Sequence, residues 1–491
     1  MIFHSKKEDA WNAKDYARTI VWFAAHTLLI IAVLGVLFLW NAGFSIDRIT
    51  EFFGRENSVR NTVYLVAACF LISASLYFYF YSEHRNFILR SGNINLLFTV
   101  LEVSLAATVV VGKTFSLYAR PFALCALLTL LLIDRKSAIF MNVASSLFMF
   151  LGDLLLAVDP IKIQTVYSCL ITGFFTGLLA IYLVYGISSR LRVFTMGFAL
   201  AIPIFVNCVM IEFEAFKEMP AAFALQSVTS GMLSVVLMMA LVPFFEAAFK
   251  VLTIYRLAEI TDHKSKLIKA LIENAPGTFN HSLVVSTLAE SCASAIGENA
   301  LLARACAYYH DIGKLKQPEF FSENQQGYNP HDELTPELST DIIRSHAKDG
   351  YDLIRKYRLP QILADVALQH HGTMPIRYFY MKAKKYTEGE LEVANFSYQG
   401  PKPQTKIAAI IMIADGCEAK VRTVADRSHE NVEKAVREII EERMDFGQFD
   451  ECELTMKDLD IIRRSLTNSL TGVYHDRVKY PKLRIGKRND E

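Results

Sequence analysis

The sequence has no Cys-x-x-Cys pair and no excess of charge of either sign. Its eight cysteines are scattered, so we expect neither a disulfide framework nor a thiolate zinc site, and a reducing compartment suits them. The formal net charge is only +1, which gives no electrostatic case for polymeric nucleic acid as a partner. Charge is especially sparse over residues 19–249, which are dominated by apolar runs, whereas residues 250–491 have the mixed pattern of a soluble domain.

The apolar half predicts a polytopic membrane domain. Eight runs reach the length of about 20 residues that a bilayer-spanning helix needs. They lie near residues 19–40, 61–81, 94–112, 115–133, 137–158, 163–186, 193–213 and 221–243. Lysine and arginine are concentrated in the N-terminal tail and in alternate loops, which by the positive-inside rule puts both termini in the cytoplasm. We therefore expect a multi-pass protein in contact with the lipid of a bacterial cytoplasmic (inner) membrane.

Three ionisable residues lie inside the predicted spans: Glu102, Arg120 and Asp153. A charge within the bilayer is costly unless it is paired or functional. We expect a structural cluster that ties the third, fourth and fifth helices together. A sensory pocket open to the outside is the alternative, and a transport pathway is a weaker one because no pairs of interrupted helices are evident.

The second half is rich in histidine, with nine of the twelve histidines of the chain. Several of them, and two aspartates, interrupt helical patterns whose other positions are apolar. Buried imidazoles and carboxylates need partners, and a metal centre provides one partner for all of them together. The predicted metal ligands are His281, His310, Asp311, His346, His370, His371 and Asp415.

This donor set contains only nitrogen and oxygen, which suits Fe or Mn and, less well, Zn. Seven ligands exceed the need of one ion, so we predict two divalent ions, with a bridging hydroxide placed for in-line attack on a phosphodiester. Lys314 follows Asp311 closely and would supply a fixed positive charge for the phosphate. Asp311 and Lys314 are thus the predicted catalytic residues.

Two further His-Asp pairs do not belong to this pattern of polar residues within apolar helices. His331-Asp332 lies in a turn-rich stretch, where a cap or a loop contact is expected, with a small chance that His331 touches substrate. His475-Asp476 lies in a charged C-terminal segment and is expected to be solvated.

The quoted motifs resemble one family. "ENAPGTFNHSLVV", "AYYHDIGKLKQPEFFSENQ", "QHHGT" and "GPKPQTKIAAIIMIADGCEA" are similar to the HDIG branch of the HD-domain phosphohydrolases. Over residues 190–483 the chain resembles the 7TM receptors with an intracellular HD hydrolase domain, of the PgpH type. This resemblance implies an all-α fold, in which a transmembrane helical bundle precedes a cytoplasmic all-helical HD domain.

The resemblance also implies an activity, the hydrolysis of cyclic di-AMP to 5′-pApA at a centre of two Fe or Mn ions. Matched by position, His281, His310, Asp311 and Asp415 would hold one ion. His346 and His370 would hold the second with Asp311 as the bridge, while His371 would be a ligand or a phosphate contact. Members of the family usually carry a large extracellular domain after the first helix, where this chain has only about 20 residues.

The predicted organisation has five parts: a cytoplasmic tail over residues 1–18, a transmembrane domain over 19–249, a connector helix over 250–276, an HD domain over 277–483, and a tail over 484–491. Residues 382–406 are predicted to be a surface excursion or a lid whose Phe396 or Tyr398 stacks on a purine. Residues 428–480 are expected to buttress the domain or to form a homodimer contact.

Other functions stay open at this stage. One is an HD phosphohydrolase for cyclic di-GMP or a guanosine polyphosphate, although "GTMPIRYFY" after the paired histidines lacks the Gly-Tyr-Pro element associated with cyclic di-GMP enzymes. The others are a receptor that binds a nucleotide without cleaving it, and a transporter with a regulatory HD domain.

Overall fold

The computed structural model describes residues 12–89, 91–157, 161–187, 189–386 and 390–473. It is helical, as predicted, and within these ranges the β-type pairing is a single isolated bridge between Pro375 and Ser397. The chain divides into two compact units, Met1–Arg256 and Leu257–Glu491. This division falls inside the predicted connector.

The α-helices of the first unit, the last of which continues into the second, are α1 Ala13–Asn41, α2 Ile46–Gly54, α3 Ser58–Glu83, α4 Arg85–Ile88, α5 Ser91–Thr114, α6 Leu124–Leu132, α7 Arg135–Leu155, α8 Ile163–Val184, α9 Arg190–Ile211, α10 Phe213–Glu218, α11 Pro220–Phe249 and α12 Ile254–Ile260. Those of the second unit are α13 Lys266–Asn274, α14 Pro276–Ala295, α15 Ala300–Tyr309, α16 Pro336–Lys356, α17 Gln361–Gln369, α18 Arg377–Lys384, α19 Lys406–Thr423, α20 His429–Asp445 and α21 Met456–Val473.

Seven described helices are long and apolar enough to cross a membrane: α1, α3, α5, α7, α8, α9 and α11. Of the eight predicted spans, with seven as the alternative if one short segment is re-entrant, only the fourth, residues 115–133, is not a long helix among the described residues. That segment holds a 3-10 turn, Leu117–Ala119, and the short helix α6. Pro121 explains the break, because it has no N–H to donate and holds Arg120 in an extended conformation, with ψ of 141°.

Serines of α11 complete the hydrogen bonding of the broken segment. The Ser230 hydroxyl donates to the carbonyl of Arg120, and the N–H of Ala123 donates to Ser234 Oγ at 3.3 Å. Unpaired backbone groups at membrane depth would each cost several kcal/mol, so these side chains stabilise a break that a lipid-exposed segment could not sustain.

The ionisable residues of the spans form two separate pairs. Arg120 and Asp153 make a bidentate ion pair, with Nη2 and Oδ1 2.8 Å apart, and the guanidinium lies against Gly112, where a Cβ would be 2.3 Å from Nε. Glu102 is not part of it, and accepts instead from His26 Nδ1 at 2.9 Å. The predicted cluster of three was wrong for Glu102, and the pairs join α7 to the broken segment and α1 to α5.

The second unit builds its core from α14, which packs against α15, α19 and α21, while α16 packs against α17. The 3-10 turn Ile312–Lys316 follows α15 and lies directly on α16. Gly313 permits this approach, since a Cβ there would be 1.9 Å from the carbonyl oxygen of His346. The loop after α15 is thereby held against the helix that carries His346.

Candidate metal centre

The structure brings all seven predicted ligands together in the second unit. They come from α14, the end of α15, α16, the end of α17, and α19. Their donor atoms form two groups, each within 4.8 Å: Asp311, His346, His370 and His371 in one, and His281, His310 and Asp415 in the other.

Asp311 belongs to the first group and also contacts the second, with one carboxylate oxygen facing each group. Its Oδ1 is 3.3 Å from His346 Nε2 and 3.5 Å from His370 Nε2. Its Oδ2 is 3.3 Å from His310 Nε2 and 3.8 Å from His281 Nε2. Each group of donors therefore has one carboxylate oxygen of Asp311 next to it.

Asp415 closes the other side of the site. Its Oδ1 is 2.9 Å from His281 Nε2 and 3.9 Å from His310 Nε2, and its Oδ2 is 3.8 Å from His371 Nδ1. Burial works against ionisation of this carboxyl, but its contacts with His281, and the other histidines beyond, lower its pKa. Asp415 is therefore an anion and can act as a ligand.

Three imidazoles are oriented by the backbone of their own helices. His310, His346 and His370 each have Nδ1 beside the carbonyl oxygen three residues earlier, at 2.7, 2.5 and 2.8 Å. His310 and His370 stand at the C-caps of α15 and α17, where such carbonyls have lost their helical partners. Donation from Nδ1 leaves the lone pair of Nε2 directed into the site, as metal coordination requires.

The residues fit a metal centre. His310 Nε2 and Asp311 Oδ1 are buried and have no hydrogen-bond partner among the described residues. Buried polar atoms are normally satisfied, and an exception needs a cause such as an ion. Because both atoms face the other histidines and carboxylates, and all donors are nitrogen or oxygen, a metal centre accounts for them.

Lys314 is held between two acids. Its Nζ is 2.7 Å from Asp311 Oδ2 and 2.8 Å from Glu323 Oε1. Burial opposes the charge of Asp311, but Lys314 and His310 lower its pKa and keep it ionised. Lys314 thus reaches the centre through Asp311, and its contact with a phosphate stays a prediction.

The protonation of the histidines differs across the site. Burial disfavours the charged form of His281, but its hydrogen bonds with Asp415 and Glu418 raise its pKa to about 10. Burial lowers the pKa of His370 and, still further, that of His371, which also adjoins His370. His370 and His371 are therefore neutral at physiological pH, the form that binds metal.

The two predicted purine contacts lie in different surroundings. The ring of Tyr398 stacks on His371, with centroids 4.2 Å apart and planes at 24°, and is half-buried at the edge of the site. Phe396 is only 2% exposed and packs with Phe379 and Ala383. The prediction for Phe396 was wrong, because its ring is already buried in a hydrophobic cluster, whereas that for Tyr398 stays open.

The other two His-Asp pairs are not brought to the site. His331 is buried between the rings of Phe320 and Phe379, and its Nε2 donates to the carbonyl of Phe320 at 3.0 Å, so it does not face substrate. Asp332 is exposed. His475-Asp476 lies outside the described residues.

Sequence reasoning missed Glu418, which is 1% exposed and accepts from His281 Nδ1 at 2.7 Å. The available signal was its spacing, since an acid three residues after Asp415 lies on the same face of α19. Gln448 was also missed. Its Oε1 accepts from the N–H of Thr373 at 3.0 Å and adjoins Gly372, which has φ of +51°, so it holds the turn that follows the paired histidines.

Comparison with known proteins finds two family models in this chain. The model described as "7TM receptor with intracellular HD hydrolase" matches residues 60–253, and that of the HD domain matches residues 278–420.

Two curated relatives carry the name cyclic-di-AMP phosphodiesterase PgpH. The one from Bacillus subtilis (strain 168) is 37% identical over 437 residues, 84% of this chain and 59% of its own length. The one from Listeria monocytogenes serotype 1/2a (strain 10403S) is 33% identical over 473 residues, 95% of this chain and 60% of its own length. The chain thus spans about three-fifths of these relatives. The crystal structure of the L. monocytogenes PgpH HD domain in complex with cyclic-di-AMP is 48% identical, covers 44% of this chain and 99% of that one, and gives a TM-score of 0.42.

Proposed function

Because the chain belongs to the 7TM receptors with an intracellular HD hydrolase domain, we propose that it hydrolyses cyclic di-AMP to 5′-pApA at the site around Asp311. The observation that carries the proposal is the position of Asp311, whose two oxygens face two groups of imidazoles. The choice of substrate is supported by the names of the two relatives.

Two divalent ions bound here would supply Lewis acidity for the phosphodiester and activate the attacking water. His281, His310, Asp311 and Asp415 would hold one of them, and Asp311, His346 and His370 the other. His371, with Nδ1 near Asp415 and its ring under Tyr398, is placed as a further ligand or a phosphate contact. The oxygen of water adds to phosphorus, the bond to the ribose 3′ oxygen breaks, and that oxygen leaves with a proton as the 3′ hydroxyl.

Residues of the chain then have distinct tasks. Lys314 fixes the Asp311 carboxylate and brings positive charge next to the reacting phosphate, where a preorganised cation stabilises developing negative charge. Tyr398 offers an aromatic ring at the edge of the centre for stacking on an adenine. Phe321 shields the same region, with its ring 4.9 Å from Lys314 Nζ and 5.5 Å from that of His346.

The setting of this reaction is also a proposal. The ions are Fe or Mn, the membrane is the bacterial cytoplasmic membrane, and the HD domain faces the cytoplasm, where the nucleotide is found. Seven long apolar helices and the matching 7TM model make the chain a multi-pass membrane protein. A homodimer contact through residues 428–480 stays a prediction.

The test is turnover by the full chain in lipid nanodiscs, supplied with Mn²⁺ or Fe²⁺ and either cyclic di-AMP or cyclic di-GMP. We expect 5′-pApA from cyclic di-AMP, and a loss of at least about a hundredfold in Asp311→Ala, because a bridging ligand is removed. Asp332→Ala is a matched control from a second His-Asp pair, and it should retain wild-type activity. Binding of cyclic di-AMP without cleavage in either metal would make the protein a receptor, and preferential cleavage of cyclic di-GMP would refute the substrate.

A further inference from the structure

His281 differs from the other histidines of the centre in the group behind its ring. Behind His310, His346 and His370 lies a neutral backbone carbonyl, whereas His281 Nδ1 lies 2.7 Å from a carboxylate oxygen, Oε2 of Glu418. Its Nε2 is on the opposite side of the ring, next to Asp415 and Asp311. The imidazole of His281 therefore connects the centre to the buried carboxylate of Glu418.

Glu418 is itself held in place. Arg422 Nη2 donates to both of its carboxylate oxygens at 2.6 Å, and Arg422 Nε donates to Oε1 at 3.1 Å. Asp415, Glu418 and Arg422 follow one another at i, i+3 and i+7 along α19, which puts them on one face of the helix. The ligand Asp415 and the residue behind the ligand His281 thus belong to one rigid element.

We infer that Glu418 is a positioning residue, which fixes the ring and the tautomer of His281 so that Nε2 is presented to an ion. This inference rests on the proposed two-metal function and adds to it a residue outside the seven ligands. A carboxylate that accepts from the distal nitrogen of a ligand histidine also makes the imidazole a stronger donor. No other described ligand histidine has a carboxylate recorded behind its ring. Glu418 should therefore strengthen the binding of one ion only, the one held by His281, His310, Asp311 and Asp415.

The test measures metal binding rather than turnover. The full chain in nanodiscs is titrated with Mn²⁺ alone by calorimetry, for the wild type and for Glu418→Gln, which keeps the side-chain shape and removes the charge. We expect the wild type to bind two Mn²⁺, and the variant to bind one of them about 10–100-fold more weakly with the other unchanged. Cleavage of cyclic di-AMP by the variant should recover toward the wild-type rate as Mn²⁺ is raised, which damage to the fold would not allow.

A matched control comes from α20. Glu433 and Arg437 are an i,i+4 acid–arginine pair like Glu418 and Arg422, but among the described residues no hydrogen bond or ion pair joins them to the metal centre. Glu433→Gln should bind both Mn²⁺ as the wild type does. If Glu418→Gln fails to fold by circular dichroism, Glu418→Asp keeps the charge and withdraws the oxygen from His281 by one methylene. Glu418→Asp should weaken the binding of the same ion.

The possible outcomes separate the two proposals. If Glu418→Gln binds two Mn²⁺ with wild-type affinity, the role of Glu418 is refuted and the proposed function is unaffected. Where Glu418→Gln does not fold, the same result for Glu418→Asp has the same meaning. A wild type that binds fewer than two Mn²⁺ would instead contradict the two-metal centre itself.

Discussion

At the residue scale, the glycine that follows the His-Asp pair has a packing role. A Cβ on Gly313 would be 1.9 Å from the carbonyl oxygen of His346 and 2.5 Å from the N–H nitrogen of Gly350. Both atoms are backbone, so a side chain can be accepted only if α16 moves away. Because α16 carries His346, the packing at Gly313 sets a ligand's distance from Asp311.

Gly313→Ala should therefore reduce both stability and metal binding. Overpacking of a well-packed interior lowers the free energy of unfolding by about 1–3 kcal/mol. The shift of His346 should also weaken the binding of the ion that it would share with His370. The measurements are thermal unfolding of Leu257–Glu491 by circular dichroism and titration with Mn²⁺. Gly472→Ala is the control, since a Cβ there meets no described residue within 4 Å and the site is helical. An unchanged melting temperature and Mn²⁺ affinity in Gly313→Ala would contradict the packing argument.

A second prediction concerns pH and His331. Burial lowers the pKa of this imidazole from 6.5, Lys382 lowers it further, and among the described residues no acceptor lies at its buried Nδ1 for a second proton. The unfolded chain therefore binds more protons between the folded pKa and 6.5, so the stability that His331 contributes is present above pH 6.5 and is lost as the pH falls through that window.

His331→Gln should flatten this dependence, since an amide N–H can still donate to the carbonyl of Phe320 without titrating. The melting temperature of Leu257–Glu491 measured from pH 7.5 to pH 5 should fall less in the variant than in the wild type. His429→Gln, at an exposed histidine, should follow the wild-type curve. Parallel curves for His331→Gln and the wild type would refute the prediction.

The clustering of the seven candidate ligands could be predicted from sequence because each is a polar interruption of an apolar helical pattern, and such buried polar groups need partners. Glu418 and Gln448 could not be assigned in that way, because their roles depend on which helices meet in space. Phe396 and Tyr398 are two residues apart and equally aromatic, and only the packing of α18 on the following segment distinguishes the buried ring from the one at the site.

At the scale of elements, the break at Pro121 was the main feature that hydropathy did not reveal. Residues 115–133 are as apolar as a continuous helix, and composition does not show that Arg120 would be extended or that serines of α11 would satisfy its backbone. The Arg120–Asp153 pair adjoins this break and joins it to α7.

Asp153→Asn should destabilise the membrane unit. Removing one partner of a buried ion pair leaves the other charge uncompensated, at a cost of about 3–5 kcal/mol. All three tryptophans lie in residues 1–40, so their fluorescence during heating in detergent reports on this unit. We expect a lower melting temperature for Asp153→Asn. Glu51→Gln, in the exposed pair with Arg55, should leave it unchanged, and equal values for the two variants would show that the pair at the break is dispensable.

At the scale of the whole membrane unit, side-chain contacts divide the loops between two ends. At one end, Arg85 donates to Tyr16, His84 Nε2 lies 3.3 Å from Asp134 Oδ2, and Lys136 forms an ion pair with Glu83. Arg135 also lies over Tyr185, and Arg190 over Tyr255.

Three contacts mark the other end. Lys113 lies over Trp40, Ser116 donates to Gln226, and Tyr118 donates to Glu212. The chain therefore runs from one end of the unit to the other between Ser116 and Asp134, although this broken segment is not a full helix. Together with the seven long helices of the described residues, it predicts an even number of membrane crossings, and the first end is the basic one.

The last prediction is that the basic end is cytoplasmic and that the broken segment crosses the membrane. Reporters fused after truncation at chosen residues test it directly, because green fluorescent protein fluoresces on the cytoplasmic side and alkaline phosphatase is active on the outer side. Fusions after Lys136 should fluoresce and lack phosphatase activity, whereas fusions after Glu56 or Ser116 should show the reverse. Since residues 116 and 136 are separated only by the broken segment, opposite signals from these two fusions require a crossing. The same signal from both would mean that the segment returns to the side it entered from, which would contradict the crossing and the division of the loops between two ends.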